Sequence, residues 1–79
     1  MITFYTNKGK TVDSYSMDVR INGAYDCYSF SENATNADGV NSFLGTIKDP
    51  KHEHDYEIDF EELPLQVQKA VFSRLNNEQ

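Results

Sequence analysis

The chain is poor in residues that several classes of protein require. Cys27 is its only cysteine among 79 residues, so an internal disulfide is impossible and a reducing compartment is expected. No stretch approaches the ~18–20 consecutive apolar residues of a membrane span. The first ten residues lack the basic start and apolar run of a signal peptide. These absences predict a cytoplasmic protein, and the length of 79 residues predicts one small domain over residues 1–79.

Basic residues are also scarce. The chain has seven Lys and Arg and thirteen Asp and Glu, which gives a formal net charge of −6. Phosphate groups are bound mainly by Lys and Arg, which disfavours direct binding to nucleic acid or to an anionic membrane. A macromolecular partner is therefore expected to present a basic protein surface.

The residue patterns of common catalytic sites are missing. The chain has two histidines, no glycine-rich phosphate loop and no nucleophile–base–acid pattern, so we expect neither enzyme activity nor a cofactor. Cys27 is expected to be a packed thiol whose neighbour Asp18 raises its pKa. His52 and His54 form an H-x-H pair, which by itself predicts solvated loop histidines rather than a metal site.

The first third of the chain carries a clear β-pattern. Residues 2–6 are β-branched or aromatic and predict a strand, and 7–10 predict a turn. Apolar and polar side chains alternate from Asp13 to Ile21, which predicts a second strand. Asn22-Gly23 then predicts a two-residue hairpin turn, because both residues accept a positive φ.

A two-residue turn at this point fixes the register of the hairpin. Ile21 is then opposite Ala24, and the remaining expected pairs are Val19 with Asp26, Met17 with Tyr28, Tyr15 with Phe30, Arg20 with Tyr25 and Asp18 with Cys27. Most inward pairs are apolar on both sides, so the pattern and the register agree. The first 31 residues are therefore expected to form a three-stranded antiparallel meander.

Two segments further along the chain have helical spacing. In the first segment, apolar residues recur at i, i+3, i+4 and i+7, namely Val40, Phe43, Leu44 and Ile47. Thr35 or Asn36 is expected to cap this helix, and Pro50 is expected to end it. The second covers roughly 64–77, and its apolar stripe comprises Val67, Val71 and Leu75, widened by Leu65 and Phe72. The predicted order is β-β-β-α-β-α, an α+β fold with a fourth strand and two helices on one face of an antiparallel sheet.

The fourth predicted strand lies in an acidic stretch, residues 52–62. Its odd positions are all carboxylates (Glu53, Asp55, Glu57, Asp59 and Glu61), and Glu62 follows. In a strand these side chains share one face, about 6.5–7 Å apart at a rise of ~3.3 Å per residue. Such a row can keep an edge strand soluble, or it can imitate a polyanion and occupy a basic groove. Both interpretations stay open.

Two residues beside the hairpin turn are further candidates for partner binding. Tyr25 lies opposite Arg20 on the presumed outer face, where it is either an interface anchor or half of an intramolecular cation–π pair. Asp26 interrupts the inner face close to the turn, and we include it as a candidate contact.

In length, charge, single cysteine and the Glu53-to-Glu61 carboxylate row, the chain resembles the small acidic anti-defence proteins of phages, namely anti-CRISPR proteins and DNA-mimicking anti-restriction proteins. The resemblance is limited to these general features and includes no shared sequence motif. It implies non-catalytic inhibition by stoichiometric binding to a host nuclease or nucleic-acid-binding complex.

Two other functions are compatible with the sequence. The chain is also of the size and charge of immunity proteins and antitoxins that neutralise a basic toxin. A homo-oligomeric accessory domain, associating through the sheet, is the third alternative.

Overall fold

The computed structural model of the chain describes residues 1–32 and 41–77. In chain order the elements are β1 (Ile2–Thr6), β2 (Tyr15–Ile21), β3 (Ala24–Phe30), β4 (Asn41–Ile47), β5 (Tyr56–Ile58), a short 3-10 helix (Phe60–Glu62) and α1 (Leu65–Asn77). The fold is α+β, as predicted, with one antiparallel five-stranded sheet and, within the described residues, one α-helix. The strand order is β4-β3-β2-β1-β5.

The predicted meander of β1, β2 and β3 is confirmed. Every hairpin pair expected from the Asn22-Gly23 turn is present, from Ile21 opposite Ala24 to Tyr15 opposite Phe30. Asn22 has φ 48° and Gly23 has φ 84°, so both turn residues adopt the left-handed backbone that suits a two-residue hairpin. Local turn chemistry and side-chain alternation were therefore sufficient to define this register.

The helix predicted around residues 40–47 is wrong, because residues 41–47 form the edge strand β4. Val40 and the proposed caps Thr35 and Asn36 lie outside the described residues. β4 contains a bulge: Cys27 is paired with Gly45 and Tyr28 with Phe43, which leaves Leu44 as an extra residue. Gly45 has φ 124°, which a continuous α-helix does not allow.

The acidic strand is much shorter than predicted. β5 comprises three residues and pairs with β1 through Phe4–Ile58, Tyr5–Glu57 and Thr6–Tyr56. The chain then leaves the sheet, because Asp59 begins the 3-10 helix and its backbone N–H donates to the Glu62 carboxylate at 2.8 Å. The predicted row of five carboxylates on one strand face is therefore wrong.

The helix predicted at 64–77 is confirmed as α1, and it covers one face of the sheet. Val67, Ala70 and Val71 are buried, and the rest of the buried cluster comprises Met17, Tyr28, Phe30 and Leu63. Leu65 and Phe72, predicted to widen the apolar stripe, are instead 67% and 58% exposed. No helix among the described residues is long and apolar enough to cross a membrane.

The opposite face of the sheet, here called the open face, is crossed by residues 48–55. These residues, the crossing segment, connect β4 at one edge to β5 at the other edge. Asp18 belongs to the open face, since strand alternation directs it away from its neighbour Met17 in the core. The crossing segment brings His52 onto this face, above the middle of the sheet.

Candidate functional site

His52 lies at the centre of a cluster of partly buried polar contacts. Its Nδ1 lies 2.7 Å from Oδ2 of Asp55, and its Nε2 lies 2.7 Å from Oδ2 of Asp18. The imidazole also stacks on the ring of Tyr5, with ring centroids 3.7 Å apart and an angle of 10° between the planes. His52 is thus held from three sides, by β1, by β2 and by its own loop.

The surroundings of His52 favour the protonated ring. Burial acts against the charge, but the hydrogen bonds to Asp55 and Asp18 and the negative charges of both aspartates outweigh it and raise the pKa of His52. The imidazolium then donates one hydrogen bond to each carboxylate. With both nitrogens engaged, the ring has no lone pair to act as a general base, so the arrangement is suited to holding the crossing segment in place.

This cluster corrects the expectation that both histidines are solvated loop residues. His54 is exposed, but the side chain of His52 is only 18% exposed and that of Asp18 only 5%. The contact between them joins residues 34 positions apart, so the H-x-H spacing could not indicate it. The only local signal was the His52–Asp55 pair at i, i+3.

Cys27 lies on the open face beside the same cluster. It is buried, and its thiol donates to the Tyr25 carbonyl at 3.6 Å. Burial, followed by the negative charge of Asp18, raises the pKa of Cys27 to about 12. The expectation of a packed thiol next to Asp18 is confirmed, and the protonated thiol is a poor nucleophile.

Two small cavities flank the crossing segment. One, of about 230 Å³, is lined largely by apolar atoms from Leu44, Ile47 and Pro50 and borders Asp18 and His52. The other, of about 160 Å³, is more polar and is lined by residues including Thr3, Tyr5 and Tyr25 together with the same Asp18–His52 pair. Asp18 and His52 therefore border both cavities.

The acidic residues that were predicted as a partner-binding row remain near one another, although not as a single strand face. β5 lies at the edge of the sheet, and four exposed carboxylates in or beside it form what we call the acidic edge: Glu53, Glu57, Asp59 and Glu61. Across the described ranges, none of these four makes an ion pair with a Lys or Arg.

The remaining acid of the predicted row, Asp55, and the following Glu62 have partners within the chain. Asp55 is half-buried and bonded to His52, and Glu62 accepts the Asp59 backbone N–H. Beside Glu57, the Nζ of Lys8 lies over the ring of Tyr56, 4.0 Å from the ring centre. Among the described residues, no Lys or Arg lies within ion-pair distance of the acidic edge.

The two candidates beside the hairpin turn lie apart from the acidic edge. They belong to β3, which is separated from β5 by β2 and β1. Tyr25 forms the cation–π pair with Arg20, at 5.9 Å from ring centroid to guanidinium carbon. Asp26 is on the opposite face and accepts a hydrogen bond from the Thr46 hydroxyl at 2.5 Å. The structure does not bring either residue together with residues 53–62.

The cluster and the acidic edge are connected through the backbone. The turn from His52 to Asp55 closes with a hydrogen bond from the Asp55 N–H to the His52 carbonyl at 3.2 Å. Because the side chains at both ends of this turn form the histidine–aspartate contact, Glu53 is held between two anchored residues. The buried cluster thus positions one end of the acidic edge.

Comparisons with protein-family models, with curated proteins and with solved structures found no match for the chain.

Proposed function

We propose that the chain is a non-catalytic binding protein whose acidic edge engages a basic, nucleic-acid-binding surface of another protein and so inhibits it. The observation that carries this proposal is the group of four exposed carboxylates with no Lys or Arg partner within the described residues. Unpaired charges of one sign repel one another, and a basic surface relieves that repulsion on contact.

The position of the acidic edge supports binding to a groove. β5 is an edge strand of only three residues that carries Glu57, and Glu53, Asp59 and Glu61 lie in the segments on either side of it, so the four carboxylates lie along one edge of the sheet. Glu57 and Asp59 are two residues apart in nearly extended backbone, which separates them by about 6.5–7 Å. Carboxylates at this spacing can replace neighbouring phosphates in a groove lined with Lys and Arg.

Anchoring of the acidic edge also supports the proposal. Asp59 is fixed at the start of the 3-10 helix, and Glu53 lies in the turn between His52 and Asp55. Side chains whose backbone is already ordered lose less conformational entropy on binding. A surface that served only for solubility would not require this positioning.

The proposal is tested with the double charge reversal Glu57→Lys with Glu61→Lys, both at exposed positions. The immobilised protein is incubated with a bacterial lysate at low salt, and proteins displaced by added duplex DNA are identified by mass spectrometry. The wild-type protein should retain nucleic-acid-binding proteins that salt or DNA releases, and the double reversal should retain at least tenfold less of them.

The matched control is Asp13→Lys with Glu32→Lys, which makes the same change in net charge at exposed positions outside the acidic edge. It should retain the same proteins as the wild type. Equal retention by the Glu57–Glu61 double reversal, or retention of no nucleic-acid-binding protein by the wild type, would overturn the proposal.

A further inference from the structure

Strand β4, at the edge opposite to β5, has an unusual surface for a protein of this charge. None of its seven residues is charged. Three large apolar side chains on it remain exposed to solvent: Phe43 at 49%, Leu44 at 59% and Ile47 at 40%. Natural edge strands are commonly kept apart by charged side chains, and β4 carries none.

The exposed apolar side chains of β4 occupy both faces of the sheet. Phe43 lies on the face covered by α1, where its ring is 5.2 Å from that of Tyr28. Leu44 and Ile47 lie on the open face, where they line the larger cavity. The apolar surface therefore includes both faces of the sheet at this edge. A strand added beside β4 would also have side chains on both faces, and these could cover the exposed apolar residues.

The two edges of the sheet differ in charge. Within the described residues, β5 and its flanks carry the unpaired carboxylates of the acidic edge, whereas β4 carries only uncharged side chains. The three strands β3, β2 and β1 separate these edges. An uncharged, apolar strand is compatible with a second copy of itself, while the acidic edge is not.

We propose that β4 is the contact surface for a second copy of this chain, with the two β4 strands antiparallel about a twofold axis. Two chains of net charge −6 repel each other in most orientations. A β4–β4 contact places the two acidic edges at opposite ends of a ten-stranded arrangement. At ~4.8 Å per strand they are then roughly 40 Å apart, several times the screening length of about 8 Å at physiological salt.

The bulge at Leu44 limits how strongly the copies associate. The extra residue bends β4 and interrupts any continuous ladder of backbone hydrogen bonds, so side-chain packing has to provide much of the contact. A patch formed by one short strand is smaller than the ~800 Å² that each partner buries in a standard stable interface. We therefore expect a weak dimer whose population depends on concentration.

Sedimentation velocity of the full chain at roughly 5 to 500 µM tests this proposal. The wild-type mass should rise from that of the 9.1 kDa monomer towards twice that value. Leu44→Lys should raise the dissociation constant at least tenfold, and Ile47→Lys repeats the test at a second exposed position. Thermal denaturation of each variant establishes that it is folded.

Leu65→Lys on α1 is the matched control, because Leu65 is 67% exposed and the chemical change is the same. It should dimerise like the wild type. A wild-type chain that stays monomeric throughout, Lys variants of β4 that dimerise normally, or an equal loss on Leu65→Lys would each overturn the proposal.

The dependence on salt concentration distinguishes dimerisation through β4 from the proposed binding of a basic partner. Salt screens the repulsion between two acidic copies, so dimerisation through β4 should strengthen or stay constant as salt rises. Binding of a basic partner to the acidic edge should weaken under the same conditions. The charge reversals at Glu57 and Glu61 should leave the β4 contact in place, so either proposal can fail alone.

Discussion

The Nε2 atom of His52 lies 2.7 Å from the Oδ2 atom of Asp18, and this contact joins the crossing segment to β2, the central strand of the sheet. Asp18 is buried, and its Oδ1 atom has no hydrogen-bond partner within the described ranges. His52 is therefore the main compensation for a carboxylate placed in a poorly solvated position. The stability of the open face depends on this pair.

His52→Gln is expected to destabilise the protein by roughly 3 kcal/mol, because it leaves the buried Asp18 carboxylate without its charged partner. Urea denaturation measures the loss. His54→Gln, two residues further on at an exposed position, should change the unfolding free energy by less than about 0.5 kcal/mol. Adding Asp18→Asn to His52→Gln should restore part of the loss, since the unpaired charge is then removed. Equal effects of the two histidine variants would contradict the role assigned to His52.

The stability of the protein should fall as pH rises above about 6.5, the ordinary pKa of histidine. The folded-state pKa of His52 is raised above its ordinary value of about 6.5. Its contribution is therefore complete below about pH 6.5 and is lost as pH rises through the raised value, because the native state then binds more protons than the unfolded state. Denaturation at a series of pH values should show this slope, and His52→Gln should lack it. An NMR titration that placed the pKa of His52 below 6.5 would rule it out.

The thiol of Cys27 should react slowly with alkylating reagents in the folded protein. Raising its pKa from 9.0 to about 12 lowers the thiolate fraction near pH 8 on the order of 1000-fold, and burial slows access further. The rate of iodoacetamide labelling, followed by mass spectrometry with and without denaturant, measures this. Cys27 is the only cysteine, so the signal has one source. Similar rates in the two conditions would show that the thiol is accessible and ionised.

Truncation on the two sides of α1 should have unequal effects. Val67 is fully buried against the sheet, so Val67→Ala should cost about 2 kcal/mol of unfolding free energy. Leu65 is 67% exposed, and Leu65→Ala should stay within about 0.5 kcal/mol of the wild type. Thermal or urea denaturation compares them. A larger loss at Leu65 would mean that α1 packs through a different side.

The hairpin could be predicted because its determinants are local. Alternation with period two indicates which side chains share a face, and Asn22-Gly23 sets the pairing of the two strands. The strand β4 could not be recognised in the same way, since its bulge breaks the alternation. Residues four apart share a face in a regular strand, but the extra residue Leu44 places Phe43 and Ile47 on opposite faces. The spacing of the apolar residues Phe43, Leu44 and Ile47 along the sequence then resembles that of a helix.

The prediction of one long acidic strand was wrong because residues 53–62 contain two conflicting sequence patterns. Alternation through residues 53–61 favoured one long strand, while Asp59 with Glu62 three positions later is typical of a capping box that begins a helical turn. The second signal prevailed, since it also allows Phe60 to pack against the core. The contact of His52 with Asp18 could not be predicted from local sequence patterns, because it depends on the path of the crossing segment.

The crossing segment also has a consequence for the order in which the chain folds. Within β1 to β4, each strand pairs with its neighbours in sequence, whereas β5 has to pair with β1, which lies about 50 residues earlier in the chain. Ladders between distant segments form late, since closing a long loop costs entropy before any contact compensates. We expect the meander to form first and residues 48–77 to dock last. Hydrogen exchange should then show β5 opening before the hairpin of β2 and β3.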